Sequence, residues 1–141
     1  MEKVPGLTKR LSKQIVTIAR QGPKGPYSLT KKKLALIGFL PVRRYPVTIF
    51  VNKERNLVVK IDPLICGKRP KRAVPTKVFK IKSRRVFGQF KVFVQPLVDT
   101  SRSAAARAMR EVRACGYRNF GSDAYLKNVG IYKNKAVVFD W

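Results

Sequence analysis

The sequence predicts an α+β protein, built as an antiparallel sheet with an N-terminal helical extension, one central amphipathic helix and a C-terminal β-hairpin. Apolar residues recur at helical spacing near the N-terminus and again around Met109. Between residues 47 and 98 they form short runs rich in Val, Ile and Phe, bounded by turn residues, which is typical of strands. With 141 residues, 45% of them hydrophobic, the chain is long enough to bury a core.

The N-terminal part predicts two helices. The first covers residues 7–20 and ends at Gly22-Pro23, and its apolar stripe comprises Leu7, Leu11, Ile15 and Ile18. Thr30 is the predicted cap of a second, short helix over residues 31–37. We therefore assign residues 1–44 to a basic helical extension and residues 45–141 to a single α+β domain.

The remaining elements follow from alternation and turn signals. The predicted strands cover residues 47–51, 57–61, 78–82 and 90–98. A helix is predicted at about 103–115, with Ser101 or Ser103 as its N-cap and Gly116 as its stop. Two short strands, 129–132 and 136–139, form the C-terminal hairpin.

The charge of the chain predicts a polyanionic partner. Against 32 Lys and Arg there are only 7 Asp and Glu, which gives a formal net charge of +25. Such a field favours RNA, DNA or an acidic protein surface. No apolar run has the roughly 18 residues that a membrane span requires, so no membrane partner is expected.

The rare residue types exclude several kinds of site. The chain has no His, which excludes His-based triads and His-liganded zinc. Cys66 and Cys115 lie far apart, which excludes a disulfide framework and a zinc site made of Cys alone. Two isolated thiols favour a reducing compartment such as the cytoplasm.

The basic residues are concentrated in two segments. Residues 1–44 and residues 63–91 each carry a net charge of +10. The alternation of Lys80-Ile81-Lys82 puts lysine on one face of a strand and apolar residues on the other. Nearby aromatic residues are candidates either for base stacking or for the core. The candidate phosphate-binding residues are Lys31, Lys32, Lys33, Arg43, Arg44, Lys68, Arg69, Lys71, Arg72, Arg84 and Arg85.

Three polar residues near the C-terminus have an informative spacing. Asp123 and Asn128 are five positions apart, and the predicted hairpin separates Asn128 from Asp140. This pattern resembles the protein-kinase-like superfamily, in particular small phage-encoded and aminoglycoside-kinase-like proteins. There, a D-x-x-x-x-N loop is followed by two short strands and the Asp of a DFG motif. The resemblance implies that Asn128 and Asp140 hold Mg²⁺ and that Asp123 is the catalytic base.

The resemblance extends upstream, over about residues 45–141. Leu57-Val58-Val59-Lys60 is similar to the V-A-I-K strand, whose lysine holds the α- and β-phosphates of ATP. The segment containing Gln95 and Leu97 looks like the strand and hinge that receive adenine. The resemblance therefore implies ATP and Mg²⁺ as cofactors, with Lys60 both in the catalytic set and, with Gln95 and Leu97, in the nucleotide-binding set.

The sequence also departs from the superfamily pattern. No G-x-G-x-x-G loop is present, and no acid between Asp62 and Asp99 is available to pair with the lysine. These departures favour a reduced, degenerate kinase-like protein, either a pseudokinase or an enzyme. The alternative is a non-enzymatic nucleic-acid-binding protein of ribosomal or virion type. In that case Lys60 is one more basic surface residue, and Asp123, Asn128 and Asp140 serve turns or the surface.

Overall fold

The prediction of an α+β fold is confirmed. A computed structural model of the chain describes residues 3–20, 27–42, 49–61, 72–82, 89–115 and 129–139. These ranges contain three helices, a five-stranded antiparallel sheet and a two-stranded antiparallel hairpin. None of the helices in the described ranges has both the length and the apolar character needed to cross a membrane.

The elements follow one another along the chain from helices to sheet to helix and hairpin. The helices are α1 (Lys9–Arg20), α2 (Tyr27–Leu36) and α3 (Arg102–Ala114). The sheet contains β1 (Leu40–Pro41), β2 (Ile49–Asn52), β3 (Leu57–Ile61), β4 (Lys77–Lys82) and β5 (Gln89–Pro96). The hairpin consists of β6 (Val129–Tyr132) and β7 (Lys135–Val138).

The chain divides into two compact units. The first unit comprises Met1–Pro63 and Pro75–Pro96, and the second comprises Leu64–Val74 and Leu97–Trp141. The boundary predicted after residue 44 is not one of these division points. Helices α1 and α2 instead contribute to the same hydrophobic core as the sheet.

The first unit packs its two helices against one face of the sheet. The strand order is β1-β2-β3-β5-β4, so β4 is an edge strand and β3 lies in the centre. The core joins the apolar stripe of α1 to alternate residues of the strands. Its most completely buried large side chains include Ile15, Leu34, Phe39, Phe50, Leu57 and Ile81. Alternation then directs the intervening residues to the other face of the sheet.

Local interactions explain where these elements begin and end. The Thr8 hydroxyl accepts a hydrogen bond of 3.1 Å from the backbone N–H of Leu11, so Thr8 caps α1. Helix α2 begins at Tyr27, earlier than predicted, and the predicted cap Thr30 is instead a buried residue within it. The short strand β1, which contains Pro41, was not predicted; a proline is tolerated there because β1 is an edge strand.

The second unit packs α3 against the hairpin. Ala108, Met109 and Val112 of the helix form a cluster with Val129, Ala136 and Val138 of the hairpin strands. The predicted hairpin is present, and its turn residues Lys133 and Asn134 both have positive φ. Two central residues with positive φ match the twist of antiparallel strands, which explains the tight turn.

Candidate functional site

Among the charged residues predicted from the kinase-like pattern, Lys60 alone lies within the described ranges. It occupies β3, where its neighbours Val59 and Ile61 both belong to the core. Because successive strand residues point to opposite faces, Lys60 lies on the face turned away from that core. The residue is nevertheless only 6% exposed. The interpretation of Lys60 as a basic surface residue is therefore wrong.

The register of the sheet defines the neighbours of Lys60. Ile49 of β2 and Phe93 of β5 lie directly opposite it, one on each side. Directly opposite residues share a face, so an aliphatic and an aromatic side chain flank the lysine stem. This arrangement buries the methylene groups of Lys60 along apolar surface, as long basic side chains commonly do.

Gln95 and Leu97, the predicted adenine-binding residues, lie at and just beyond the end of β5. The Gln95 side chain is 1% exposed, and its Nε2 donates a hydrogen bond of 3.1 Å to the Thr76 hydroxyl. This bond satisfies a buried amide group and ties β5 to the segment that precedes β4. Leu97 is half-buried and is the first residue of the second unit after β5.

The other predicted kinase-like residues, Asp123, Asn128 and Asp140, lie outside the described residues. The hairpin between the last two is described, however. Val129 and Val138 are directly paired at its open end. Asn128 immediately precedes Val129 in sequence, and Asp140 follows Val138 by two residues. Within the described part of the chain, no three acidic or cysteine side chains are grouped as a metal site.

Close backbone contacts join β6 of the hairpin to the segment that precedes α3. Asp99 and Ile131 exchange two backbone hydrogen bonds, each of 3.0 Å. At Gly130 an added Cβ would clash with Val98 Cγ1 and would lie 2.6 Å from the Asp99 carbonyl oxygen. The approach of the two segments therefore requires glycine at this position.

Arg107 of α3 holds the turn of the hairpin. Its guanidinium donates to both the side-chain and the backbone oxygen of Asn134, each at 3.2 Å. It also forms an ion pair of 3.2 Å with Glu111, one helical turn further along α3. A planar guanidinium can make these bonds in parallel, which a lysine ammonium cannot reproduce.

The predicted basic residues fall into three groups. Lys31 and Lys32 on α2 are exposed, and Lys33 is half-buried. Arg72 is exposed, and its Nη2 donates to Cys115 Sγ at 3.3 Å within the second unit. The remaining candidates lie outside the described residues, namely Arg43, Arg44, Lys68, Arg69, Lys71, Arg84 and Arg85.

Sequence reasoning missed one basic residue that the sheet brings next to the predicted alternation. Lys80 and Lys82 are exposed while Ile81 is 1% exposed, which confirms the alternation in β4. Lys91, in the middle of β5, is also exposed and lies directly opposite Lys80. From the sequence, Lys91 could be placed only on a predicted strand. Its position opposite Lys80 depends on the register between β4 and β5, which is a property of the sheet.

Comparisons with models of known protein families, with curated protein sequences and with solved structures give no match.

Proposed function

We propose that the protein binds a magnesium–nucleoside triphosphate in the manner of the protein-kinase-like superfamily, with Lys60 contacting the phosphates. One observation carries the proposal: Lys60 is a buried lysine in the third strand, on the face turned away from the hydrophobic core. In protein kinases the phosphate-binding lysine also stands on the third strand.

The presence of the C-terminal hairpin is an argument in favour of the proposed metal ligands. Its strands are paired up to Val129 and Val138, and the predicted ligands Asn128 and Asp140 flank these two residues in sequence. Amide and carboxylate oxygens are the ligand types that Mg²⁺ prefers. When bound, Mg²⁺ would neutralise the phosphate charge, and Asn128 and Asp140 would hold it.

The proposed contacts of the adenine base are Gln95 and Leu97. Gln95 lies on the same face of the sheet as Lys60, because both belong to pairs across β3 and β5 that share this face. Its amide also donates a hydrogen bond to the Thr76 hydroxyl, which fixes the orientation of the Gln95 side chain. Leu97 would supply an apolar contact to the ring.

Phosphoryl transfer is a separate question from binding. The absence of a G-x-G-x-x-G loop and of an acid between Asp62 and Asp99 favours nucleotide binding without efficient transfer, as in a pseudokinase. If transfer does occur, Asp123 is the proposed base. Because Cys115 is a free, exposed thiol, we also propose a reducing compartment such as the cytoplasm. The net charge of +25 is the basis for a further proposal, that the protein associates with a virion or ribosome.

The first test is the binding of Mg²⁺-ATP to Lys60→Met, measured by calorimetry against the unchanged protein. Methionine keeps the apolar stem but removes the charge, so the loss of affinity measures the contribution of the phosphate contact. A hydrogen bond to a charged group contributes about 1.5–3 kcal/mol, which corresponds to roughly 10- to 100-fold weaker binding. Lys53→Met removes the same charge from the exposed turn after β2 and should change the affinity less than about twofold.

The second test separates metal binding from transfer. Asp140→Ala should weaken Mg²⁺-ATP binding, whereas Asp123→Ala should leave it unchanged, because the base does not hold the metal. Glu54→Ala controls for the general gain in anion binding when any acid is removed from a chain of charge +25. Equal affinity of Lys60→Met and Lys53→Met, together with no loss in Asp140→Ala, would contradict the proposal. Strong phosphate transfer that Asp123→Ala abolishes would identify an active kinase.

A further inference from the structure

Three exposed lysines lie together on the face of the sheet turned away from the core. Lys80 and Lys82 stand on β4, and Lys91 stands on β5. Lys80 is directly opposite Lys91, and Lys82 is directly opposite Gln89, which neighbours Lys91 on the same face. These three residues are called the lysine surface below. All three side chains are exposed, whereas the intervening Ile81, Phe90 and Val92 are buried in the core.

The lysine surface has no local counter-charge in the described part of its unit. The single acidic residue among the described residues of the first unit is Glu54, which lies in the turn between β2 and β3. Like charges directly opposite each other on antiparallel strands destabilise the sheet. The pairing of Lys80 with Lys91 therefore carries a cost in stability that a bound anion would remove.

Protection of a sheet edge explains only part of this arrangement. Lysines on an edge strand prevent pairing with a second chain, and β4 is an edge strand. This accounts for Lys80 and Lys82. Lys91 lies on β5, which is paired on both sides with β3 and β4 and has no free edge to protect. Its position beside Lys80 thus requires another explanation.

The chemistry of the surface indicates which anion it suits. Alternate residues of a strand are about 6.6–6.8 Å apart, and directly opposite residues are about 5 Å apart, so three charges recur at short intervals. A nucleic-acid backbone also repeats its charge at short intervals, with one phosphate per roughly 3.4 Å of each strand. The aromatic residue described on this face, Phe93, is only 6% exposed and offers no platform for base stacking.

We infer that the lysine surface binds the phosphodiester backbone of nucleic acid without sequence preference. The inference is independent of the nucleotide site proposed around Lys60, since it rests on exposed residues of β4 and β5 alone. Lysine ammonium groups act as point charges toward phosphate. Contacts to phosphate position a protein on nucleic acid but do not read its sequence, so affinity should depend on salt and length rather than on base composition.

The test is the salt dependence of binding to labelled 20-mers of single-stranded DNA, single-stranded RNA and duplex DNA. In the variant carrying Lys80→Gln, Lys82→Gln and Lys91→Gln, the slope of log K against log salt should fall in magnitude by about 2, or up to about 2.7 on duplex DNA. The three probes show which form of the backbone is preferred. The variant with arginine at the same three positions should retain the slope.

A matched control variant removes the same charge elsewhere. Lys3, Lys9 and Lys13 are exposed residues at and before α1, and their replacement by Gln should reduce the slope by less than about 1. Equal losses in the two triple variants would show that net charge alone drives binding and would overturn the inference, as would an unchanged slope in the first. Competition by polyglutamate that exceeds competition by unlabelled 20-mer would assign the surface to acidic proteins instead. Mg²⁺-ATP affinity should fall much less in the lysine-surface variant than in Lys60→Met, because exposed charges are screened by salt, which keeps this test separate from that of Lys60.

Discussion

Lys80 and Lys91 lie directly opposite each other on β4 and β5, so two exposed lysine side chains project from the same face of the sheet. Opposite charges in such a pair contribute roughly 0.2–1 kcal/mol, and like charges are unfavourable. We therefore expect Lys91→Glu to raise the free energy of unfolding by up to about 1 kcal/mol, measured by urea denaturation. The same change should weaken binding to nucleic acid.

A neutral variant distinguishes the effect of removing the repulsion between Lys80 and Lys91 from the effect of adding an attraction. Lys91→Gln removes the repulsion alone, so its stability should fall between those of the unchanged protein and Lys91→Glu. If Lys91→Glu proves less stable than Lys91→Gln, the introduced carboxylate does not form an ion pair with Lys80 across the two strands. A gain in stability that comes with a loss of binding would indicate that the lysines are retained for their ligand.

Gly130→Ala should destabilise the second unit. The new Cβ would meet both Val98 Cγ1 and the Asp99 carbonyl oxygen at less than 3 Å, so the two segments would have to separate. Overpacking of this kind costs about 1–3 kcal/mol. The measurement is urea unfolding followed by circular dichroism, to which α3 contributes together with α1 and α2.

A double variant identifies which contact prevents a side chain at position 130. Val98→Ala removes the side-chain clash but leaves the backbone carbonyl of Asp99 in place. The combination of Gly130→Ala with Val98→Ala should therefore remain less stable than Val98→Ala alone. Full recovery would show that the backbone can move and that glycine is not required there.

Asp99 should titrate below its ordinary pKa of 3.8. Its Oδ1 accepts a hydrogen bond of 2.9 Å from the backbone N–H of Ser101, and this bond, with a further one from the Ser101 side chain, lowers the pKa of the carboxyl. A lowered pKa means that the charged form stabilises the folded protein above pH 3.8. That contribution disappears as the pH falls through the pKa of the folded state.

Ser101→Ala provides the matched measurement for Asp99. The variant removes the hydroxyl donor but keeps the backbone N–H, so NMR titration should show a pKa that rises only part of the way toward 3.8. Asp99→Asn should reduce the dependence of the free energy of unfolding on pH below about pH 4. A pKa at or above 3.8 in the unchanged protein would contradict the assigned cause.

Much of the sheet followed from local pattern. The bounds of β3 were predicted as residues 57–61 and observed as Leu57–Ile61, because this β-branched, apolar run lies between the turn at 52–56 and Pro63. Ser101 was correctly predicted as one of two candidates for the N-cap of α3, yet its side chain makes no capping hydrogen bond. The start of α2 was missed because the residues near Tyr27 lack a helical apolar stripe.

The sequence by itself determined the α+β class and the strong positive charge, since composition and the spacing of apolar residues are local properties of the chain, and the resemblance of Leu57-Val58-Val59-Lys60 to a kinase-like strand drew attention to Lys60. Only the tertiary structure decided that Lys60 is buried and that Lys91 faces Lys80. Burial depends on what packs over a strand, and pairing depends on the register between strands that are distant in sequence. Neither quantity is encoded within the few residues around a lysine.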